Sequence, residues 1–140
     1  MTKERIRVLI ADDDGNAINT LRNYLMLDRD QEFIVSSESS PNRVLAAIDK
    51  IKPHVVLLDN QFADEEVGIR DLLPRIAGQF PHVKVIVVTG HRGSDTDQIK
   101  EALAWNIAGF LDKQGLEPGD LRKKVRNAFE TLRREDRNLD

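Results

Sequence analysis

Four apolar runs, each ending on an acid, a hydroxyl or a lysine, constrain this chain more than any other feature. Asp12 and Asp13 follow Ile6-Arg7-Val8-Leu9-Ile10-Ala11, and Asp59 follows Val55-Val56-Leu57-Leu58. Thr89 follows Val83-Lys84-Val85-Ile86-Val87-Val88, and Lys113 follows Gly109-Phe110-Leu111-Asp112. If these runs are parallel strands of one sheet, their carboxyl ends share an edge, the edge where open α/β sheets bind ligands. Three carboxylates meeting there repel one another unless a cation lies among them, so the pattern implies a divalent metal.

Between the runs lie segments of helical period, which argues for repeated βα units around a parallel sheet. Runs 55–58 and 85–88 are continuously apolar, as expected of strands buried on both faces. The pattern predicts strands near 6–11, 33–37, 54–58, 83–88 and 108–112. Helices are predicted near 15–28, 41–51, 66–79, 95–105 and 118–135. Ser40 before Pro41 gives an N-cap with proline at the first helical position. Ser94 with Asp97 resembles a capping box, and Asn106 suits a left-handed helix end. The last segment carries a stripe of Leu121, Val125, Ala128, Phe129 and Leu132. Two elements are marked by weaker signals. The second strand dissolves into Ser36-Ser37-Glu38-Ser39-Ser40, and Pro74 inside the third helix removes one hydrogen bond and bends it.

Bulk properties exclude several classes. A chain of 140 residues suits one domain. With 21 basic and 24 acidic residues, no overall bias towards nucleic acid exists. The absence of cysteine excludes disulfides and thiolate metal sites and fits a cytoplasmic setting. No leader is expected from the opening residues, and no apolar stretch approaches the roughly 18 residues of a membrane span.

Together these residues resemble the receiver domain of two-component response regulators, over essentially the whole chain. The matching pieces are Asp12-Asp13, Asp59, Thr89-Gly90 and Gly109-Phe110-Leu111-Asp112-Lys113. The resemblance implies a doubly wound (βα)5 flavodoxin-like α/β sandwich with a five-stranded parallel sheet in the order 2-1-3-4-5. Residues 1–135 would form the receiver domain, and 136–140 a tail or the start of a linker. Asp59 would accept a phosphoryl group from a histidine kinase or histidine phosphotransfer protein, with the domain assisting its own phosphorylation and dephosphorylation rather than acting as an enzyme. Asp13 and Asp59 would supply oxygens to Mg2+, Asp12 would act through a metal-bound water, and the Gln61 carbonyl would be a further ligand. Lys113 and the Thr89 hydroxyl would contact phosphoryl oxygens.

Thr89 and Phe110 are the implied switch pair, and Gln61 and His91 border the phosphoryl group and would set its lifetime. Signalling would pass through the fourth helix, fifth strand and fifth helix to an effector or a covalently linked output domain, or through a homodimer on that face. Trp105 is either a contact anchor there or partly buried packing. Neither membrane nor direct nucleic-acid binding is implied. The basic cluster Arg122-Lys123-Lys124-Arg126 is expected to be a solvated helix face.

Other roles compete at single positions. Asp13 could cap the first helix, whereas Asp14 is expected to be a cap or solvated neighbour rather than a ligand. The run Asp64-Glu65-Glu66 is expected to be an exposed loop, and His54 and His82 structural or exposed. The chain departs from the family pattern at Phe62-Ala63, in the loop Asp64-Glu65-Glu66-Val67-Gly68, about one residue longer than usual, and at Gln114 after the lysine. These departures bear on loop geometry and partner recognition, and they keep open a scaffold acting by phosphorylation-independent contacts. A haloacid dehalogenase-like phosphatase would need an acid where Gln61 stands.

Overall fold

The computed structural model describes residues 4–27, 31–61, 68–90 and 107–138. The strands are β1 (Ile6–Ala11), β2 (Phe33–Glu38), β3 (Val55–Asp59), β4 (Lys84–Thr89) and β5 (Gly109–Asp112). The helices are α1 (Gly15–Met26), α2 (Val44–Ile51), α3 (Ile69–Gln79) and α4 (Pro118–Asn138), with a 3-10 turn at Pro41–Arg43 before α2. The helix expected at 95–105, with its cap at Ser94 and end at Asn106, lies outside the described residues.

All strand pairs are parallel, in the order β2-β1-β3-β4-β5. The chain therefore has the doubly wound, flavodoxin-like architecture expected from its runs. Alternate residues of each strand face opposite sides of the sheet, and both sides are covered. On one side Val8, Ile10, Leu57, Ile86 and Val88 pack with Leu21 and Leu25 of α1 and Leu121 and Val125 of α4. On the other, Leu9, Val56, Leu58 and Val87 pack with Ile48 of α2 and Leu72 and Ile76 of α3. Each such fully buried Leu or Ile side chain contributes about 1.5–3 kcal/mol of transfer free energy.

Local signals explain the element ends. Asp14, not Asp13, caps α1, its side chain accepting from the Asn16 N–H at 3.0 Å. Ser40 occupies the cap position with Pro41 next, but its hydroxyl bonds the Asn42 side chain at 2.6 Å instead of capping the backbone. Lys52 ends α2 in the left-handed conformation, at φ 55°. Helix α3 runs through Pro74, and Asp71 accepts from the Gly68 N–H at 3.1 Å to fix its start. Strand β2 extends one residue beyond the expected 33–37 despite its serines, because it pairs with β1 along its whole length. The last helix continues through Asn138, past the boundary expected at 135.

Candidate functional site

Strand register assembles the site. Ala11 pairs with Leu58, so Asp12 emerges beside Asp59. Asp59 pairs with Val88, which places Thr89 one step further along the same edge. Thr89 pairs with Asp112, and the Lys113 N–H donates to the Thr89 carbonyl at 2.8 Å, bringing the lysine over the pocket. Residues as far apart in sequence as Asp12 and Lys113 thus meet at the carboxyl ends of β1, β3, β4 and β5.

One ligand oxygen from each of Asp12, Asp13 and Asp59 lies within 4.8 Å of the others. Asp12 and Asp59 are buried, whereas Asp13 is exposed at the mouth. The Lys113 ammonium stands 3.0 Å from Asp12 Oδ2 and 3.4 Å from Asp59 Oδ1. Backbone steadies both carboxylates: the Asp14 N–H donates to the other Asp12 oxygen, Oδ1, at 2.9 Å, and the Gln61 N–H donates at 3.3 Å to the same Asp59 Oδ1 that faces Lys113. Burial first, then the neighbouring Asp12 charge, raise the Asp59 carboxyl above its ordinary value, and Lys113 pulls it back down. Burial opposes the charge on Lys113, but its two carboxylate partners outweigh burial and raise its value.

Three carboxylates against a single ammonium leave two negative charges, which one divalent cation would balance. The donors are all hard oxygens, two of them buried, and this set suits Mg2+ better than a softer metal. The residues present fit that ion.

Thr89 is buried, and its hydroxyl donates to the Leu111 carbonyl at 3.3 Å. Phe110 is half-buried against the core face covered by α2 and α3. No cis peptide bond occurs among the described residues, so the Lys113–Gln114 bond is trans as expected. His91, Trp105, Phe62-Ala63 and Asp64-Glu65-Glu66 lie outside the described residues. Within the basic cluster, Arg126 pairs with Glu32 at 2.5 Å and Lys124 donates to the Phe110 carbonyl at 2.5 Å.

Sequence reasoning did not single out two neighbours. Asn60 is buried directly after Asp59, its N–H donating to the Val88 carbonyl at 3.0 Å. The pairing of Lys113 with Asp12 was also missed, although a lysine ending one strand and an acid ending another are a readable signal. His54 is buried, in agreement with a structural role, and His82 is exposed.

The acidic cup and the lysine thus lie together at the carboxyl edge of a five-stranded, doubly wound sheet. The response regulator receiver domain model matches residues 8–126, and the chain belongs to that family. Solved structures agree in fold. A CheY-like receiver domain protein from Methanospirillum hungatei JF-1 superimposes with a TM-score of 0.81 at 21% identity, covering 94% of this chain and 99% of that one. The signal receiver domain of a putative LuxO repressor protein from Vibrio parahaemolyticus gives 0.80 at 22% identity, covering 95% and 96%. NtrX from Brucella abortus, solved in complex with ATP, gives 0.84 at 21% identity, covering 97% of this chain but 29% of the longer one. No curated protein matches the chain in sequence. Membership of this family makes phosphoacceptor signalling, with Mg2+ at an acidic pocket, the general property of the domain.

Proposed function

We propose that Asp59 is the phosphoacceptor, taking a phosphoryl group from a phosphohistidine of a histidine kinase or phosphotransfer protein. The observation that carries this is the position of the Asp59 carboxylate, buried at the end of β3 with Asp12 and Asp13 around it and Lys113 at 3.4 Å. An Asp59 oxygen would bond to phosphorus as the phosphorus–nitrogen bond breaks, and the electron pair would leave with the imidazole. Such transfers depend on positioning and charge neutralisation more than on covalent help.

When bound, Mg2+ would neutralise the charge that develops on the phosphoryl group. Asp13 and Asp59 would hold it directly, Asp12 through water, and the Gln61 carbonyl would complete the protein ligands. Lys113 would exchange part of its contact with Asp12 and Asp59 for a phosphoryl oxygen. Burial around Asp12 and Asp59 lowers the local dielectric, so each of these contacts counts for more than it would in water.

Thr89 would trade its bond to the Leu111 carbonyl for one to the phosphoryl group. That exchange frees the end of β5, where Phe110 sits as the second switch residue. The face made by β5, α4 and segment 95–105 would then change its affinity for a downstream effector, a linked output domain or a second copy. Gln61 and His91 would set the acyl-phosphate lifetime. The receiver unit would span residues 1–135 and act in the cytoplasm, with no direct nucleic-acid contact. Among the described residues, no helix is long and apolar enough to cross a membrane.

The test is incubation with acetyl phosphate or beryllofluoride, with and without Mg2+, followed by intact mass or NMR. A Mg2+-dependent adduct absent from Asp59→Ala supports the proposal. No adduct with either donor would sink it and favour the phosphorylation-independent scaffold.

A further inference from the structure

At the sheet edge opposite the acidic pocket, the beginnings of β3 and β4 open into a cavity of about 590 Å3. That volume lies in the range of small-molecule sites, roughly 300–1,000 Å3. Its lining includes the apolar residues Ile48, Pro53, Phe80, Val83 and Leu132 and three cations, Arg7, Lys52 and Arg133, against the two carboxylates of Asp49 and Asp136. Apolar residues beside a few charged ones are a composition that ligand sites share.

The cations are arranged unequally. Arg133 pairs with Glu4 and, at 3.3 Å, with Asp136, while its Nε is buried without a hydrogen-bond partner. Arg7 Nε donates to the Lys52 carbonyl at 2.7 Å, which fixes the guanidinium. Among the described residues, neither Arg7 nor Lys52 has a carboxylate partner. Some of this charge offsets the carbonyl ends of α2 and α3, which finish at the same edge. That role explains the Arg7–Lys52 bond but neither the cavity nor the remaining donors of both side chains.

His54 reports on the same charge. It is buried, and Nδ1 accepts from the Arg7 N–H at 2.9 Å, so the neutral ring carries its proton on Nε2. Burial, then Arg7, then Arg133 lower its value to about 4, and Glu4 opposes them from 3.5 Å. Asp49, His82 and Asp136 complete the charged and titratable groups around the cavity, and the Phe129 ring packs on the imidazole at 4.8 Å.

We propose that this cavity binds a small organic anion, its apolar body lying against the apolar lining and a phosphate or carboxylate head meeting Arg7 and Lys52. A guanidinium fork with a lysine beside it in the same lining suits a head with two or more oxygens. The site stands at the far end of β3 from Asp59 and does not depend on chemistry there.

The experiment is NMR titration of the full chain, without Mg2+, using phenyl phosphate and benzoate, with inorganic phosphate and benzyl alcohol as single-feature controls. Shift changes should concentrate at Arg7, Lys52, Phe80 and Val83, and the His54 imidazole should titrate at higher pH when phenyl phosphate is bound. Lys52→Gln, at an exposed position, should keep the fold and weaken binding roughly tenfold, the loss of one charged hydrogen bond. Three results overturn the proposal: shifts confined to the Asp59 pocket, benzyl alcohol binding as well as phenyl phosphate, or unchanged affinity in Lys52→Gln.

Discussion

The Lys113 ammonium lies 3.4 Å from the Asp59 carboxylate, yet the carboxyl remains raised above its ordinary value. Burial and the Asp12 charge together outweigh the lysine. The pocket is consequently under electrostatic load, and that load has a sign that stability measurements can read.

A carboxyl whose folded value exceeds its unfolded value binds its proton more tightly in the native state. Its contribution to stability is therefore full below the unfolded value and is lost as pH rises through the folded one. Above its unfolded value, Asp59 therefore subtracts from stability. Asp59→Asn should accordingly raise the Tm of the metal-free protein at pH 7 by a few degrees, or about 1 kcal/mol. Lys113→Met should act in the opposite direction. Thermal denaturation checks both, and an Asp59→Asn variant less stable than the parent would refute the account.

Asp13 is the exposed member of the acidic cup, so its replacement should separate metal binding from folding. In Asp13→Asn, stability should stay within about 0.5 kcal/mol of the parent, as for most surface changes. Mg2+ affinity should fall on the order of tenfold, because one of three anionic donors becomes neutral. Calorimetric titration with Mg2+ gives the answer. Equal affinities in parent and variant would remove Asp13 from the ligand set.

His54 should produce a pH dependence opposite to that of Asp59. Its folded value, about 4, lies below the ordinary 6.5, so the unfolded chain binds the proton more readily. The stability it confers is present above pH 6.5 and is lost as pH falls towards 4, by on the order of 3 kcal/mol. His54→Gln, which retains an acceptor for the Arg7 N–H, should flatten the decline of Tm between pH 6.5 and 4. If parent and variant decline in parallel, the imidazole does not carry the effect.

The sheet was legible because each strand is a run of Val, Ile and Leu broken by a residue of a different kind. Strand β3 is buried throughout and β4 likewise, and nothing in their sequences competes with that assignment. Asp12, Asp13, Asp59 and Lys113 converge as expected because parallel register carries run ends to a common edge. Strand β2 was less distinct, since Ser36 and Ser37 are recruited by pairing with β1 and not by their own preference. The capping roles of Asp13 and Asp14 could be weighed but not settled from spacing, because adjacent acids before a helix differ only in backbone conformation. The cavity beneath the sheet was unreadable. Arg7 lies within an apolar run and Lys52 at a helix end, and only the packing of α2, α3 and α4 brings them to one lining.

Strand β3 is hydrogen-bonded on both flanks, by β1 and by β4, and none of its side chains reaches solvent appreciably. A group attached to Asp59 would therefore stand on a strand held from both sides. Since that base cannot give way, accommodation falls to whatever surrounds the newcomer, and the shape of the response is decided by the pieces free to rearrange rather than by the residue that was altered.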